Sequence, residues 1–504
     1  MKKRTLSLLL GCGFLMLFAC DLYSNPKSRD TLALTLEEAI ELAVDSSLNA
    51  FIAENLYLAS YWEYNTFRAQ RLPFLELHTN PANFRRAMTQ EYNYQEGRYE
   101  YVEQQTLYSN LNLSINQNIT LTGGQVFVDS DLGRLENYGD ISSLQYTSVP
   151  LRVGIRQPLF GYNRFKWEKK IEPVKYERAK REVVETMEEI AVETVKLFFD
   201  LAVAQVNLQI AENQKANADT LLKIGQKRFE IASISRNDLY MLQLEQINAG
   251  NNLEKAKSQL KRAQMYLSSF LRLDADNHIG IILPEEIPVL QIDGSQSLEL
   301  AMSNNPKMLE LKQQILESES DVDRTRRESR LNANLNMSFG LNQVTNNFKE
   351  VYQDPMDQQI VQLGISIPLL DWGTAKGKHN LAKHNHSVIT AHADQAEIDF
   401  MQNIILTTEE FNRQQKLVKG SATADSIAHE AYHHTIERFI AGQADILRLS
   451  NSQQSSISAR ISYINSLRDY WYYFYSIRKI TLYDFERNES LLEEFDMEFE
   501  YTHF

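Results

Sequence analysis

The chain of 504 residues has two cysteines, Cys12 and Cys20, both within its first 20 positions. Its fold therefore cannot depend on internal disulfides and has to come from packing. Proline is confined as well: none of the eleven lies in 27–72, 174–283 or 369–504. Glycine is thin over the same ground, with only Gly420 and Gly442 between Lys378 and Phe504. Tracts this poor in breakers favour long helices. Long apolar runs are missing beyond the N-terminus, so no later segment reads as a membrane-spanning helix. Excess positive charge is missing too, since 52 basic residues face 66 acidic ones. That balance argues against a nucleic-acid partner. No phosphate loop, nucleophile triad or cofactor fingerprint occurs, so neither catalysis nor a cofactor is expected.

The exception is the first twenty residues, MKKRTLSLLLGCGFLMLFAC. A basic start at Lys2, Lys3 and Arg4 and an apolar run from Leu6 to Ala19 read as a secretion signal over 1–19. Its end, Leu17-Phe18-Ala19-Cys20, resembles a lipobox with Cys20 as the lipid-attachment residue. Phe18 is bulkier than that pattern favours, and plain cleavage is the alternative. Loss of the three basic residues takes the formal charge from −14 to −17. An exported chain without further apolar helices can enter a membrane only as β-strands.

The chain repeats itself. Ala39-Ile-Glu-Leu-Ala-Val-Asp-Ser-Ser47 returns 258 residues later as Ser297-Leu-Glu-Leu-Ala-Met-Ser-Asn-Asn305. Gln157-Pro158-Leu159-Phe160 returns as Ile367-Pro368-Leu369-Leu370 after only 210, as do Arg228-Phe229 at Arg438-Phe439 and Ser235 at Asp445. The first half thus carries about 48 extra residues before Pro158. Each half reads as helix, strands, very long helix, tight turn and helix. The opening helices are expected to run unbroken for about 35 residues, at 39–71 and 297–330. The long ones, 165–231 and 374–441, would reach about 100 Å at 1.5 Å per residue. Two half-length helices stacked end to end would match one of them, 39–71 with 235–271 in the first half and 297–330 with 445–484 in the second.

Two periodicities coexist. Ala249, Leu253, Ala256, Leu260, Ala263, Leu267 and Phe270 alternate four and three apart, a coiled-coil seam in which alanine permits close approach. In the strands, Leu331, Ala333, Leu335, Met337, Phe339 and Leu341 alternate with asparagine, serine and glycine. Leu111, Leu113 and Ile115 do the same against Asn112, Ser114 and Asn116. A half-buried soluble sheet can look like this, but an apolar row opposite an Asn/Ser row also suits a barrel with lipid outside and water inside. The secretion signal favours the barrel.

Taken in order, several motifs resemble the TolC-type outer membrane efflux family. They are LTLEEAIELA (34–43), SLELAMSNNP (297–306), VGIRQPLFGYNRFKWEKK, LGISIPLLDWGTAKGK, and the hairpins RFEIASISRNDL and RFIAGQADILRL. The resemblance covers about 32–485. It implies an α+β membrane protein: a trimeric β-barrel in the outer membrane plus a long α-helical coiled-coil barrel, built from two internal structural repeats. It further implies a homotrimer in outer membrane lipid, a periplasmic membrane-fusion adaptor, and an inner-membrane pump driven by protons or ATP. The chain divides accordingly into a signal (1–19), a linker (20–33), repeat 1 (34–290), repeat 2 (291–485) and an acidic, irregular tail (486–504). The periplasmic tip and adaptor-docking positions would be Arg228, Phe229, Ser235, Asp238, Arg438, Phe439, Gly442 and Asp445. Ser235 and Asp445 suit helix N-caps and Gly442 a left-handed turn.

Two features depart from the family pattern. Where relatives place aspartates inside the second hairpin, this chain has Arg448 and Asn451, while Asp238 is kept in the first; Ala444 stands where relatives carry a basic residue. The expected pore constriction is thus Asp238, Arg448 and Asn451, less selective for cations, with an Arg448–Asp238 latch. The 48-residue excess includes the tyrosine-rich NPANFRRAMTQEYNYQEGRYEYVEQQ and the turn Leu121-Thr122-Gly123-Gly124. As an extracellular elaboration it leaves twelve strands per trimer; as an added hairpin in the wall it gives eighteen. Twelve is the expectation.

HEAYHH (429–434) has the form of a zinc protease motif, with His429 and His433 one turn apart and Glu430 as base. A metzincin needs Gly and His at 436 and 439, which are Ile436 and Phe439, and no glutamate occurs between Glu437 and Glu486. The motif falls deep in a long helix, and a zinc hydrolase is the weaker alternative. A pore-less coiled-coil spacer is another, for which the amphipathic strands would have no use. His379, His384, His386 and His392 read as solvated or packed, and Tyr470-Trp471-Tyr472-Tyr473-Phe474-Tyr475 as helix packing.

Overall fold

A computed structural model describes residues 32–94, 96–138, 142–232, 234–274, 278–284, 286–441, 443–444, 446–493 and 495. Cys20, Gly442, Asp445 and the Phe439 side chain lie outside them. The elements run β1 (Leu32–Leu34), α1 (Leu36–Ser46), α2 (Leu48–Ala69), β2 (Phe74–Asn93), β3 (Arg98–Ile119), β4 (Gly124–Tyr138), β5 (Ser143–Pro158), α3 (Arg164–Glu230) and α4 (Arg236–Phe270). They continue with β6 (Ile279–Ile281), α5 (Gly294–Asn304), α6 (Pro306–Glu328), β7 (Asn332–Thr345), β8 (Met356–Ser366), α7 (Thr374–Ile440), α8 (Ile446–Thr481), β9 (Tyr483–Asp484) and β10 (Glu489–Ser490). The described residues form two compact units, one from 32–39 with 200–284, the other from 40–199 with 286–495.

Both long helices have 67 residues, within one residue of the expected limits. The opening helices are not continuous, which corrects the sequence expectation. Ser47 caps α2 by accepting from the Ala50 N–H, and Asn305 caps α6 by accepting from the Lys307 N–H, with Pro306 in the first turn. Serine and asparagine compete for backbone donors and proline suits a helix start, so the break falls at the same place in both repeats.

In the smaller unit the end of α3 and α4 form an antiparallel hairpin, with Gln246 donating to Asp219 at 2.8 Å. Ala249, Ala256 and Leu267 of the seam are buried. β1 pairs in parallel with β6, and the Gln205 amide bridges Ile279 and Ile281 of β6 through its carbonyl and N–H. The residues read as a linker therefore end in a strand.

In the larger unit α5, α6 and α8 pack along α7. Thr325 meets His379, Ser318 meets His386 at 2.8 Å, and Ser297 meets Thr408 at 2.9 Å, so α6 and then α5 follow the first half of α7. Phe411 against Tyr470, and Arg460 on Asp425 at 2.9 Å, place α8 along the second half. Two short helices in tandem flank one long one. Shifted by the 210-residue offset, the contact of 219 with 246 becomes 429 with 456, the register in which 425 meets 460.

The last helix ends in a buried ion cluster. Arg478 donates to both oxygens of Glu188 at 2.9 and 3.0 Å and to Asp484 at 2.5 Å. Burial opposes its charge, but the two carboxylates hold the guanidinium well above its ordinary value. The segment read as an irregular tail begins as a built element. β9 and β10 pair, Leu491 packs on Val184 and Leu482, and Phe495 meets the edge of Tyr57 at 5.4 Å.

The remaining strands form one antiparallel sheet in the order β2-β3-β4-β5-β7-β8. By the two repeat offsets β2 corresponds to β7 and β5 to β8, so β3 and β4 are the added pair. The excess is thus part of the sheet, which among the described residues has six strands rather than four. The Thr120–Gly123 turn between the added strands closes on the helix side, with Gly123 at φ +76°. There Gln117 donates to the Arg71 carbonyl and Asn163 to that of Thr120. At a bulge in β5, a Cβ on Gly340 would lie 2.6 Å from the Leu151 carbonyl, so only glycine fits.

Candidate functional site

The sheet is inside out by the standard of a soluble protein. On β3, Leu111, Leu113 and Ile115 are more than 40% exposed, while Asn116 between the same rows is 8% exposed. On β7 and β8, Phe339, Val361, Leu363 and Ile365 are exposed by more than half. The covered face is polar. Asp129 is 7% exposed and accepts two bonds from Arg152, the longer at 2.9 Å. Asn112 donates at 3.4 Å to both Asp129 and Asp131. Arg156 lies 4.5 Å over the Phe127 ring. Soluble sheets bury the apolar row and wet the polar one. The reverse arrangement suits a wall with hydrocarbon outside and water inside. Among the described residues no helix is long and apolar enough to cross a membrane.

β2 and β8 are the sheet's two free edges. An edge of unpaired backbone groups cannot stand in hydrocarbon, so each has to pair with another chain or be covered.

The helical tips are the second candidate region. Ser235 and Asp238 form a reciprocal cap at the start of α4: Ser235 Oγ accepts from the Asp238 N–H at 3.2 Å, and Asp238 accepts from the Ser235 N–H at 3.0 Å and its hydroxyl at 2.7 Å. The Ser235 hydroxyl and N–H hold the Asp238 carboxyl below its ordinary value. Its charge is thus engaged in capping. Ala232 sits at φ +57° in the turn, the position that Gly442 occupies 210 residues on. Arg228, Arg438, Arg448 and Asn451 are exposed, and Phe229 is half-buried. Ile231, Tyr240, Met241, Leu244 and Ile247 are exposed by more than half around the first tip, and Leu447 is exposed beside the second. Their spacing in RFEIASISRNDLYMLQLEQI carries no heptad, which is why sequence reading passed over this apolar collar.

His429 and His433 meet edge to face on one turn of α7 with ring centroids 4.6 Å apart, and the motif lies on an exposed helix face. Among the described residues, no three histidine, cysteine or carboxylate side chains gather as a metal site. His379 and His386 are hydrogen-bonded to hydroxyls of α6.

Residues 297–481 match the model of a family described as Outer membrane efflux protein. No curated protein matches the chain in sequence. Among solved structures, the CmeC outer membrane channel of Campylobacter jejuni aligns over 92% of this chain and 89% of its own, with a TM-score of 0.65 and 14% identity. A membrane protein from Pseudomonas aeruginosa aligns over 88% and 90%, with a TM-score of 0.61 and 14% identity. The open state of the Neisseria gonorrhoeae MtrE outer membrane channel aligns over 88% of both chains, with a TM-score of 0.57 and 14% identity. At such identities the likeness is one of fold, and it runs through both repeats. The sequence match to the Outer membrane efflux protein family thus covers the second repeat, and the likeness in fold to outer membrane channels covers both.

Proposed function

We propose that this chain is the outer membrane channel of a tripartite efflux or type I secretion system, a passive duct and not an enzyme. It lies in the outer membrane with its helices in the periplasm. A periplasmic adaptor joins it to an inner-membrane pump, which supplies the energy. The observation that carries the reading is the inverted sheet, with Leu111, Leu113 and Ile115 outward and Asn112, Asp129 and Arg152 on the covered face.

Three copies close the barrel by joining β8 of one chain to β2 of the next. Six strands each make eighteen. At about 4.8 Å between strands and a tilt of about 40°, the backbone bore is roughly 35 Å across. Cys20 anchors the chain by a lipid. The tips docked by the adaptor carry Arg228, Phe229, Ser235, Asp238, Arg438, Phe439, Gly442 and Asp445, and the apolar collar near Tyr240 and Leu244 supports that role. Asp238, Arg448 and Asn451 line the constriction. A basic residue there in place of carboxylates weakens cation preference.

The test is the native mass of protein extracted from outer membranes in mild detergent. A trimer is expected. A monomer overturns the proposal, because six strands with two open edges cannot close alone.

A further inference from the structure

β2 and β3, at 20 and 22 residues, are much longer than the 11 to 16 residues of the other four strands. A tilted strand crosses a membrane in about 9–11 residues. Among the described residues β4 covers β3 only from Gln105 onward, so residues 86–93 and 98–104 continue as a ribbon of two strands. The ribbon leaves from the end of the sheet away from the helices, since the opposite end is tied to Gln70 and Arg71.

Cross-strand partners share a face. Arg86 with Gln105, Met88 with Glu103, Gln90 with Tyr101 and Tyr92 with Tyr99 therefore form one side. It is an aromatic side left open: Met88, Tyr99 and Tyr101 are each more than 60% exposed, and Tyr92 touches Tyr94 and Tyr99 edge-on at 5.1 Å. On this side Arg86 is paired with Glu103, while Arg98 pairs with Glu96 at 2.6 Å and Glu100 at 2.8 Å. A lone two-stranded hairpin is marginal in water, so this one calls for a partner to cover its tyrosines.

A bulge supplies a direction change. Between Asn80 and Asn83 the register slips around Pro81, whose carbonyl accepts from the Ser109 hydroxyl at 2.7 Å. Bulges bend a strand, and at barrel rims they re-aim it. Eight residues beyond Arg85 reach about 27 Å. The radius of an eighteen-stranded bore is roughly 18 Å.

We infer that the ribbons of three chains fold across the outer mouth of the barrel and pack tyrosine face to tyrosine face as an outer lid. The occupant of each aromatic face is the same face of a second copy. Continuity with the free edge of β2, the pairing of Arg86 with Glu103 on the tyrosine side and a reach exceeding the radius favour a copy over a foreign ligand. The inference rests on the channel reading above.

The test reads access to the covered face from outside. Ser338→Cys, on the polar row of β7 and half-buried, is labelled in intact cells with a small maleimide or a polymer-linked one, in three backgrounds. These are the full chain, a chain with 86–105 replaced by an Asn-Gly turn, and a full-length Tyr92→Ser/Tyr99→Ser/Tyr101→Ser variant. The small reagent should label all three, and the polymer should label the two variants at least tenfold faster than the full chain. Equal polymer labelling in all three backgrounds overturns the lid while leaving the channel standing, and is the result expected if the tyrosines instead bind surface sugars. No labelling by the small reagent anywhere overturns the channel reading and the lid with it. The triple-serine variant keeps the backbone, so a poorly folded deletion does not decide the matter.

Discussion

Arg478→Met removes one guanidinium and leaves two carboxylates where water does not reach. The Arg478 side chain is 18% exposed, and the Glu188 and Asp484 side chains are 10% and 4% exposed. Breaking one partner of a buried pair costs about 3–5 kcal/mol, chiefly because the other charge is stranded. Asp484 also accepts from the Glu486 and Arg487 N–H groups, which softens its loss, so a value near the lower end is expected. Replacing all three by apolar residues should recover most of it, since the desolvation of charge then disappears. The assay is circular dichroism at the helical minimum during guanidinium titration of detergent-purified protein. Proteolysis after Thr481 reports whether the β9–β10 hairpin has come away. A single variant within about 0.5 kcal/mol of the parent would falsify the reasoning, because surface pairs are worth that little.

Four further outcomes are expected. Burial lifts the Glu185 carboxyl above its ordinary value. The charged form is thus disfavoured in the fold, and the parent loses stability as pH rises through the carboxylate range; Glu185→Gln should raise the melting temperature at pH 7, with the gain fading in acid. Leu113→Arg places a charge on the exposed apolar row and should cost about 2–4 kcal/mol at mid-membrane, whereas Ser114→Arg, opposite Asp129, should be tolerated; the yield of folded trimer in outer membranes distinguishes them. Ser235→Ala removes the cap of α4 and about 1 kcal/mol, so amide exchange in residues 236–239 should quicken roughly fivefold, and unchanged exchange would count against the cap. Arg448→Asp should shift the reversal potential of single channels toward cation selectivity, and an unmoved potential removes Arg448 from the constriction.

The long helices were legible because breakers are few in them: α3 holds one proline, Pro173, in its early turns, and α7 holds none, and such scarcity over 67 residues is a strong local signal. The breaks at Ser47 and Asn305 were legible in principle from Asn305-Pro306, but an apolar pattern running through both sides concealed them. The sixth strand was harder to see. The added pair joins the sheet, yet its outer half carries Arg, Glu and Tyr on both faces, and alternation fades where no face meets lipid or core. The β9–β10 clasp depends on Val184 and, through Arg478, on Glu188, partners remote in sequence, so its composition suggested only an acidic tail. At the tips, Ser235 was recognisable as a cap, whereas Asp238 was read as a constriction charge paired with Arg448, and its bonds to Ser235 depend on local geometry that the sequence does not display.

The added β3–β4 hairpin enlarges the wall by a unit that respects parity. Two strands return the chain to the side from which it left, so α3 still begins beside the end of α2, as Gln117 on Arg71 and Asn163 on Thr120 attest. One extra strand would have delivered α3 to the wrong side of the membrane. In the proposed trimer, going from twelve to eighteen strands raises the cross-section about twofold, since diameter grows roughly in proportion to strand number. A lineage can therefore change the calibre of such a conduit by whole hairpins while its helices, and whatever they engage, stay as they were.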